Sequence, residues 1–558
     1  MTALSVANYL ANRLADLGID RIFGVPGDYT FSFDDAIEAC PRLHWILNAN
    51  ELNAAYAADG FARIFGIAAL TTTYGVGELS ALNGVMGSKC HRLPIIHIVG
   101  APSRRIVYQD LITHHSLGDG VYGNFEIASA SAACVSAILS PENAISEIER
   151  VITETLRHSR PGYIVLPMDI GKLPVIGTPQ KGRHISQIKR QSSIKKELDE
   201  AIDAIIERLN AAKNPVVLPN MLVSRYGLQP KLDKFLKKAN IPYATTPMDK
   251  GVLSEGHPCY LGLYNGDYSA PPSVKSIIEN ADLILDLGGI VMAELNAGLW
   301  SDMLPKDRMI HIHDNWVQIG DNIWLCAAIE DVLDALIDRT PTFSDRVATP
   351  TAAPLTLVGS PEDPTSSENF YPRLQRMLQV GDILISETGT CMLHLCKLLL
   401  PAGVGYQSQV VWGSIGWATP AAIGIAMAQQ CGRTILVTGD GAHGMTLNEL
   451  SVMGRYNIKP IIFVLNNDMH GVEEIVGDEG HVFNLLPIID YHKLPEALGC
   501  KNWLTAKVST VAELESILAQ IDHHDDAAYI SVTISKSESK PLPIKVRERM
   551  YKVATPDG

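Results

Sequence analysis

Gly439-Asp440-Gly441 and Asn466-Asn467, separated by 24 residues, form the pairing in this sequence best suited to chemistry. Each follows a strand-like run, Thr434–Thr438 and Ile461–Leu465. Asp440 and Asn467 are therefore expected at the carboxyl ends of two strands of one sheet, where open α/β sheets bind ligands. A carboxylate and an amide oxygen, with room for water and phosphate oxygens, suit Mg²⁺ and its octahedral oxygen shell. The glycines beside Asp440 let backbone N–H groups approach phosphate where a helix would begin. Gly-Asp-Gly and Asn-Asn are also ordinary turn sequences, so the pair gains its weight from its surroundings.

Further candidates are scattered along the chain. Glu51 follows Asn50 and opens the helical stretch Glu51–Arg63; alone, it would complement the helix dipole. Asp28 sits in a Gly27-Asp28-Tyr29 turn. His114 and His115 are adjacent, and neighbouring side chains on a regular element point apart, so the pair does not read as a metal chelate. Glu473 lies six residues beyond Asn467, next to Glu474, where an isolated acid would be a solvated helix residue.

The elements that must position these groups are short apolar runs alternating with amphipathic stretches. Strands are expected at Arg21–Gly24, Ile95–Gly100, Tyr163–Pro167, Val216–Pro219 and Leu283–Leu287. Others are expected at Met309–His313, Ile383–Ser386, Thr434–Thr438, Ile461–Leu465 and Tyr529–Ile534. Most are continuously apolar, as strands buried on both faces are, which implies parallel sheets covered by helices. Val6, Leu10, Leu14 and Leu17 share one helical face that ends at Gly18, and Ile194, Leu198, Ile202, Ile205 and Leu209 form a second stripe. Lys172–Gln191 lacks apolar periodicity, and Thr340–Asn369 carries five prolines. Three α/β domains follow, over 1–180, 193–340 and 368–558, joined by linkers 181–192 and 341–367.

The 558 residues include 46% apolar and 19% charged residues, enough for large cores and too apolar for disorder. A net charge of −15 argues against a nucleic-acid partner. Nine cysteines without a CxxC pair indicate neither a disulfide scaffold nor a zinc ribbon. Met1–Asp20 has only Arg13 as a basic residue, too late for a signal peptide, and no apolar run approaches the roughly 18 residues of a membrane helix. A cytoplasmic enzyme without a membrane partner is the expected class.

The motifs together resemble the thiamine diphosphate-dependent 2-oxo acid decarboxylases of the pyruvate, indolepyruvate and branched-chain group. Besides Gly439-Asp440-Gly441 and Asn466-Asn467, the resemblance is carried by Gly24-Val25-Pro26-Gly27-Asp28-Tyr29, Asn50-Glu51-Leu52-Asn53-Ala54 and Gly75-Val76-Gly77-Glu78-Leu79-Ser80. His114-His115, Glu387-Thr388-Gly389-Thr390 and Trp412-Gly413-Ser414-Ile415-Gly416 extend it, in the family's order and nearly its spacing. It implies three doubly wound α/β domains with mainly parallel sheets: pyrimidine-binding, middle and diphosphate-binding. It also implies thiamine diphosphate and Mg²⁺ as cofactors, a small 2-oxo acid as substrate, and a homodimer or homotetramer that completes each site from two subunits.

By the same resemblance, Glu51 hydrogen-bonds the pyrimidine ring nitrogen from a buried position. Asp28, His114, His115 and Glu473 form the acid–base set. Asp440, Asn467 and the Met469 carbonyl hold Mg²⁺. Pro26, Thr390, Gly413, Ile415, Gly441, Ala442, Asn467, Met469, Gly471 and Val472 contact the coenzyme, with bulky Ile415 wedged against its rings. The activity implied is decarboxylation through the coenzyme's ylid to an aldehyde and CO₂. Val472 and Met392 would shape the substrate pocket, and a valine where pyruvate-preferring members often carry isoleucine favours branched-chain or aryl substrates over pyruvate. Met469 stands where the family generally has glycine, and a positive φ there would strain it. His443 and His470 are unusual neighbours for a diphosphate, and Lys89-Cys90-His91-Arg92 and Met221 depart from the substrate-activated relatives. A carboligase of the acetolactate synthase type is the nearest rival. A flavin or nicotinamide enzyme lacks its GxGxxG, and a non-enzymatic scaffold would not be expected to keep Glu51 and Asp440.

Overall fold

A computed structural model describes residues 4–179, 181–293, 295–297, 304–344, 354–476 and 480–536. Residues 345–353 of the second expected linker and 537–558 of the last expected domain lie outside them. Three sheets account for the described strands. The first, ordered β2-β1-β3-β4-β6-β5, is wholly parallel and comprises β1 (Arg21–Gly24), β2 (His44–Leu47), β3 (Ala68–Thr73), β4 (Ile95–Ala101), β5 (Val135–Ile138) and β6 (Gly162–Pro167).

The second sheet is ordered β13-β12-β11-β10-β7-β8-β9. It contains β7 (Pro215–Pro219), β8 (Tyr243–Thr245), β9 (Tyr260–Leu263), β10 (Leu283–Leu287), β11 (Met309–Ile312), β12 (Trp316–Ile319) and β13 (Asn322–Leu325). Only its β11–β12 and β12–β13 pairings are antiparallel. The third, again parallel, runs β15-β14-β16-β17-β19-β18. Its strands are β14 (Ile383–Ser386), β15 (Gly405–Ser408), β16 (Thr434–Gly439), β17 (Ile461–Asn466), β18 (Leu504–Val508) and β19 (Ala528–Thr533). Separate apolar cores pack against the three sheets.

All ten expected strands are present, with ends shifted by at most one residue. The first helix runs Val6–Asp16 and its stripe is buried; Gly18 follows with φ +95°, the left-handed turn that ends it. The second stripe belongs to the Lys195–Ala211 helix, which buries Ile202, Ile205 and Leu209, but Ile194 caps it and stays exposed.

Two compact units divide the chain: Met1–Gln191 with Pro420–Gln430, and Ser192–Thr419 with Cys431–Gly558. The first has two features that the sequence hides. Ile185 and Ile188, expected in a linker, pack on the core of the first sheet, so this segment is a strap rather than a free tether. The small-residue helix Ala418–Ala428 lies backbone to backbone against the Glu51–Phe65 helix. A Cβ on Gly424 would stand 1.9 Å from the Ala57 carbonyl oxygen, and one on Gly60 2.1 Å from that of Ala421. Only glycine permits that approach.

Candidate active site

In the first unit, Asn50 is the N-cap of the Glu51–Phe65 helix, its side chain accepting from Asn53 N–H at 2.8 Å. Glu51 is thereby fixed as the first helical residue. It is half-buried, less enclosed than the buried carboxyl expected of it. Gly77 leaves it space: a Cβ there would lie 3.2 Å from Glu51 Oε1.

Asp28, His114 and His115 come together. Asp28 Oδ2 is 2.9 Å from His114 Nε2, and the two imidazoles meet edge to face with centroids 4.6 Å apart. The expectation that the adjacent histidines diverge is corrected here. His115 has φ +61°, which breaks the alternation and brings potential ligand atoms of all three residues within 4.8 Å of one another. Tyr29 supports the cluster by stacking on His114 at 4.9 Å while its hydroxyl donates to the His114 carbonyl. Gly75 admits the turn, since a Cβ there would fall 2.3 Å from the His115 carbonyl oxygen. Pro26 lies between β1 and this turn. Behind it Glu78 is fully buried, accepting from Ser129, Tyr163 and Gly75 N–H. Burial pushes its carboxyl above the ordinary range, and those donors oppose the rise.

In the second unit, β16 and β17 pair in parallel and deliver Asp440 and Asn467 from neighbouring ends, as their spacing requires. Asp440 Oδ1 accepts from Gly441 N–H at 2.9 Å, and Oδ2 from Asn467 and Asp468 N–H at 3.2 and 2.6 Å. Burial raises its pKa to about 6, against the pull of those three donors. A cavity of about 150 Å³ opens here. Asp440, Gly441, Ala442, Asn467 and Met469 line it. Thr390, Ile415, Gly471, Val472 and Glu473 line it as well.

The left-handed residue of the loop is Asp468, with φ +53°; Met469 has no positive φ, so the strain expected of it does not arise. Instead Met469 bridges Leu485, and His470 N–H donates to the Asn484 carbonyl. The His470 ring packs on Gly441, whose Cβ would lie 2.9 Å from it. Glu473 is exposed, whereas Glu474 is buried and accepts from Asn484 and Gly480. That difference separates two acids identical in the sequence. His443 turns away into the core between Thr419 Oγ1 and the Tyr529 hydroxyl, each at 2.8 Å, and burial lowers its pKa to about 3. Met392 is fully buried beside Tyr268 and Val410, away from the cavity wall.

The donors suit the expected ion. Asp440 and Asn467 offer hard oxygens, and Asp440 Oδ1, which accepts from Gly441 alone, keeps a lone pair beyond its backbone contact, whereas Oδ2 already accepts two N–H groups. Gly441 and Gly471 line the same cavity without side chains of their own, leaving a cradle for phosphate oxygens. Sequence reasoning passed over His394, Ser367 and Lys536, which also line the cavity. Lys536 and Ser367 reach it from distant segments, with no local signal to mark them.

Comparison with known proteins places the chain in a family. Residues 4–121 match the thiamine pyrophosphate enzyme, N-terminal TPP binding domain, residues 202–336 the central domain, and residues 388–532 the C-terminal TPP binding domain. An alpha-keto-acid decarboxylase of Mycolicibacterium paratuberculosis is 35% identical over 560 residues, covering 100% of this chain and 98% of its own. Pyruvate decarboxylase isozyme 3 of Saccharomyces cerevisiae is 35% identical, covering 93% and 92%. The fold is also that of a thiamine diphosphate-dependent 4-hydroxybenzoylformate decarboxylase of Rhodococcus jostii RHA1, with a TM-score of 0.79 at 19% identity over 96% of this chain and 100% of that one. With a coenzyme-binding domain matched at each end and full-length relatives on both counts, this chain belongs to the thiamine diphosphate-dependent 2-oxo acid decarboxylase family.

Proposed function

We propose that the chain, as a Mg²⁺-dependent homodimer or homotetramer in the cytoplasm, decarboxylates a branched-chain or aryl 2-oxo acid to the aldehyde and CO₂. The observation that carries this is the cavity at the ends of β16 and β17, which Asp440, Asn467, Val472 and Glu473 all line. In this reading Asp440, Asn467 and the Met469 carbonyl hold the ion. Backbone N–H groups of Gly441, Ala442 and Gly471 receive the diphosphate. Gly413 would offer its carbonyl to the pyrimidine amine, Thr390 and Pro26 would flank the ring, and Ile415 would position the coenzyme by packing against it. When bound, the coenzyme supplies a carbon nucleophile and a sink for the electron pair that CO₂ leaves behind.

Glu51 would hold the pyrimidine ring nitrogen by a hydrogen bond. Asp28, His114, His115 and Glu473 handle the substrate carboxylate and deliver the proton that becomes the aldehyde hydrogen. The 2.9 Å contact of Asp28 with His114 supports their acting together. Val472 supports the larger substrate, because it takes less room in the cavity than isoleucine would; Met392, buried off the wall, acts on it only indirectly. Exposed Val482, Phe483 and Ile488, and on the other unit Tyr108, Ile112 and Ile127, support self-association.

Assay of the holoenzyme with pyruvate, 3-methyl-2-oxobutanoate, phenylpyruvate and indolepyruvate tests the reading. It expects aldehyde from the larger acids at higher kcat/KM than from pyruvate. A preference for pyruvate would refute the substrate assignment, and acetolactate as the main product would refute decarboxylation to aldehyde.

A further inference from the structure

Glu387 is fully buried, on the residue after β14, and no step described above uses it. Its Oε1 accepts from Thr388 N–H at 2.9 Å, and its Oε2 from Gly416 and Ala418 N–H at 3.1 Å each. A second buried side chain, Gln409, holds the other end of the same loop. Its Oε1 accepts from Ser414 N–H at 3.1 Å, its backbone carbonyl accepts from Gly413 N–H at 3.2 Å, and the Thr388 hydroxyl donates to that carbonyl. The Gly416 carbonyl in turn accepts from Thr446. The loop Gly413-Ser414-Ile415-Gly416 bends through two glycines of positive φ, at +62° and +91°, so its own sequence gives it little stiffness. Its conformation is imposed from below, by one carboxylate and one amide.

We propose that Glu387 is a positioning residue for the coenzyme, acting through the Gly413–Ile415 loop that it and Gln409 suspend from the core. This rests on the reading that Gly413 and Ile415 touch the coenzyme rings. The carboxylate needs to accept three N–H groups at once, which an amide cannot do: Glu387→Gln must turn an NH₂ against at least one of them. The loop then shifts, while Asp440 and Asn467, just past the ends of other strands, keep their hold on the ion that anchors the diphosphate.

The test is a pair of measurements on wild type, Glu387→Gln, Ile415→Ala and the double variant. One is thiamine diphosphate affinity in the presence of Mg²⁺, followed by tryptophan fluorescence; the other is hydrogen–deuterium exchange at the coenzyme C2, read by acid quench and proton NMR. Glu387→Gln should hold affinity within about threefold yet slow C2 exchange about tenfold to hundredfold, the effect of a displacement approaching 1 Å. In the Ile415→Ala background it should slow exchange by less than about twofold, because the group it positions is gone. A helix cap of purely structural role would cost the same factor in both backgrounds, and that result, or unchanged exchange in Glu387→Gln, overturns the inference. Should Glu387→Gln not fold, Gln409→Met removes the Ser414 anchor from the other end; slower exchange at near-normal affinity supports the inference and unchanged exchange refutes it. Wild-type enzyme that binds the coenzyme without accelerating C2 exchange refutes the functional reading itself, and this inference with it.

Discussion

Replacing Gly77 with alanine should leave the fold intact and slow catalysis. Gly77 is the second residue of the Val76–Cys90 helix and has no positive φ, so alanine is allowed there. Reduced freedom of the unfolded chain then contributes about 0.4–1 kcal/mol of stability. Against this, the new Cβ meets Thr73 Cγ2 at 3.1 Å, Glu51 Oε1 at 3.2 Å and Thr72 Cβ at 3.4 Å. Thr72 and Thr73 belong to the fully buried strand β3 and are paired there with Val99 and Gly100 of β4, so they have less room to yield. Glu51 can yield, at the cost of a strained side-chain torsion of about 0.5–1.5 kcal/mol. The two terms nearly cancel, so the thermal midpoint should move by no more than a few degrees. In the proposed function, however, that movement takes the carboxylate away from the pyrimidine nitrogen it is to hydrogen-bond. A charge-assisted hydrogen bond is worth about 1.5–3 kcal/mol, and losing half of it slows turnover about threefold to twelvefold. Steady-state kinetics beside a melting curve and a coenzyme titration give the readout. Full kcat in Gly77→Ala would refute the idea that the Glu51 carboxylate works from this position.

Glu51→Gln should bind thiamine diphosphate with near-normal affinity and lose at least about a hundredfold in kcat, the range of a positioned acid–base group; near-normal turnover would rule out its role. Val472→Ile should shift the kcat/KM ratio of 3-methyl-2-oxobutanoate to pyruvate towards pyruvate by about tenfold, the usual worth of one methylene; an unchanged ratio would remove Val472 from substrate selection. His97 is buried against Thr72 Oγ1 at 2.9 Å, and burial lowers its pKa from 6.5 to about 3. Below pH 6.5 the unfolded chain therefore takes up a proton that the folded chain refuses. This contribution to stability is present above that pH and is lost by about 1.4 kcal/mol per unit as the pH falls towards 3. His97→Gln lacks that slope, so chemical denaturation of the two proteins between pH 6.5 and 4.5 should converge with acidity; parallel curves would disprove the assignment.

How far the sequence reaches depends on whether a property is set locally. The ten strands expected from apolar runs are all interior to their sheets, buried on both faces by helices. Every edge strand escaped: β2, β5, β9, β13, β15 and β18. An edge strand covers less, so it is short or alternates, as β18 does, and its composition does not set it apart from a loop. The same division runs through the site. Asp440 and Asn467 were legible because each is fixed by the strand just before it. The convergence of His114 and His115 was not, because it turns on a single positive φ that Gly75, some forty residues earlier, makes room for.

Buried acids mark the limit most clearly. Glu387 and Glu78 stood inside recognised motifs without an assigned role, while Glu51, the acid given the largest role, is only half-buried. Burial lifts Glu387 to a pKa of about 7, although three backbone N–H groups pull it down. Two of those donors come 29 and 31 residues later, from Gly416 and Ala418. Backbone donors leave no trace in residue type, so no reading of side chains finds them. A group that costs so much to bury is retained where its geometry matters more than its solvation. Here that geometry is the bend of the loop carrying Ile415, which is why the carboxylate, rather than the more conspicuous His443, is the buried group whose replacement should be felt at the coenzyme.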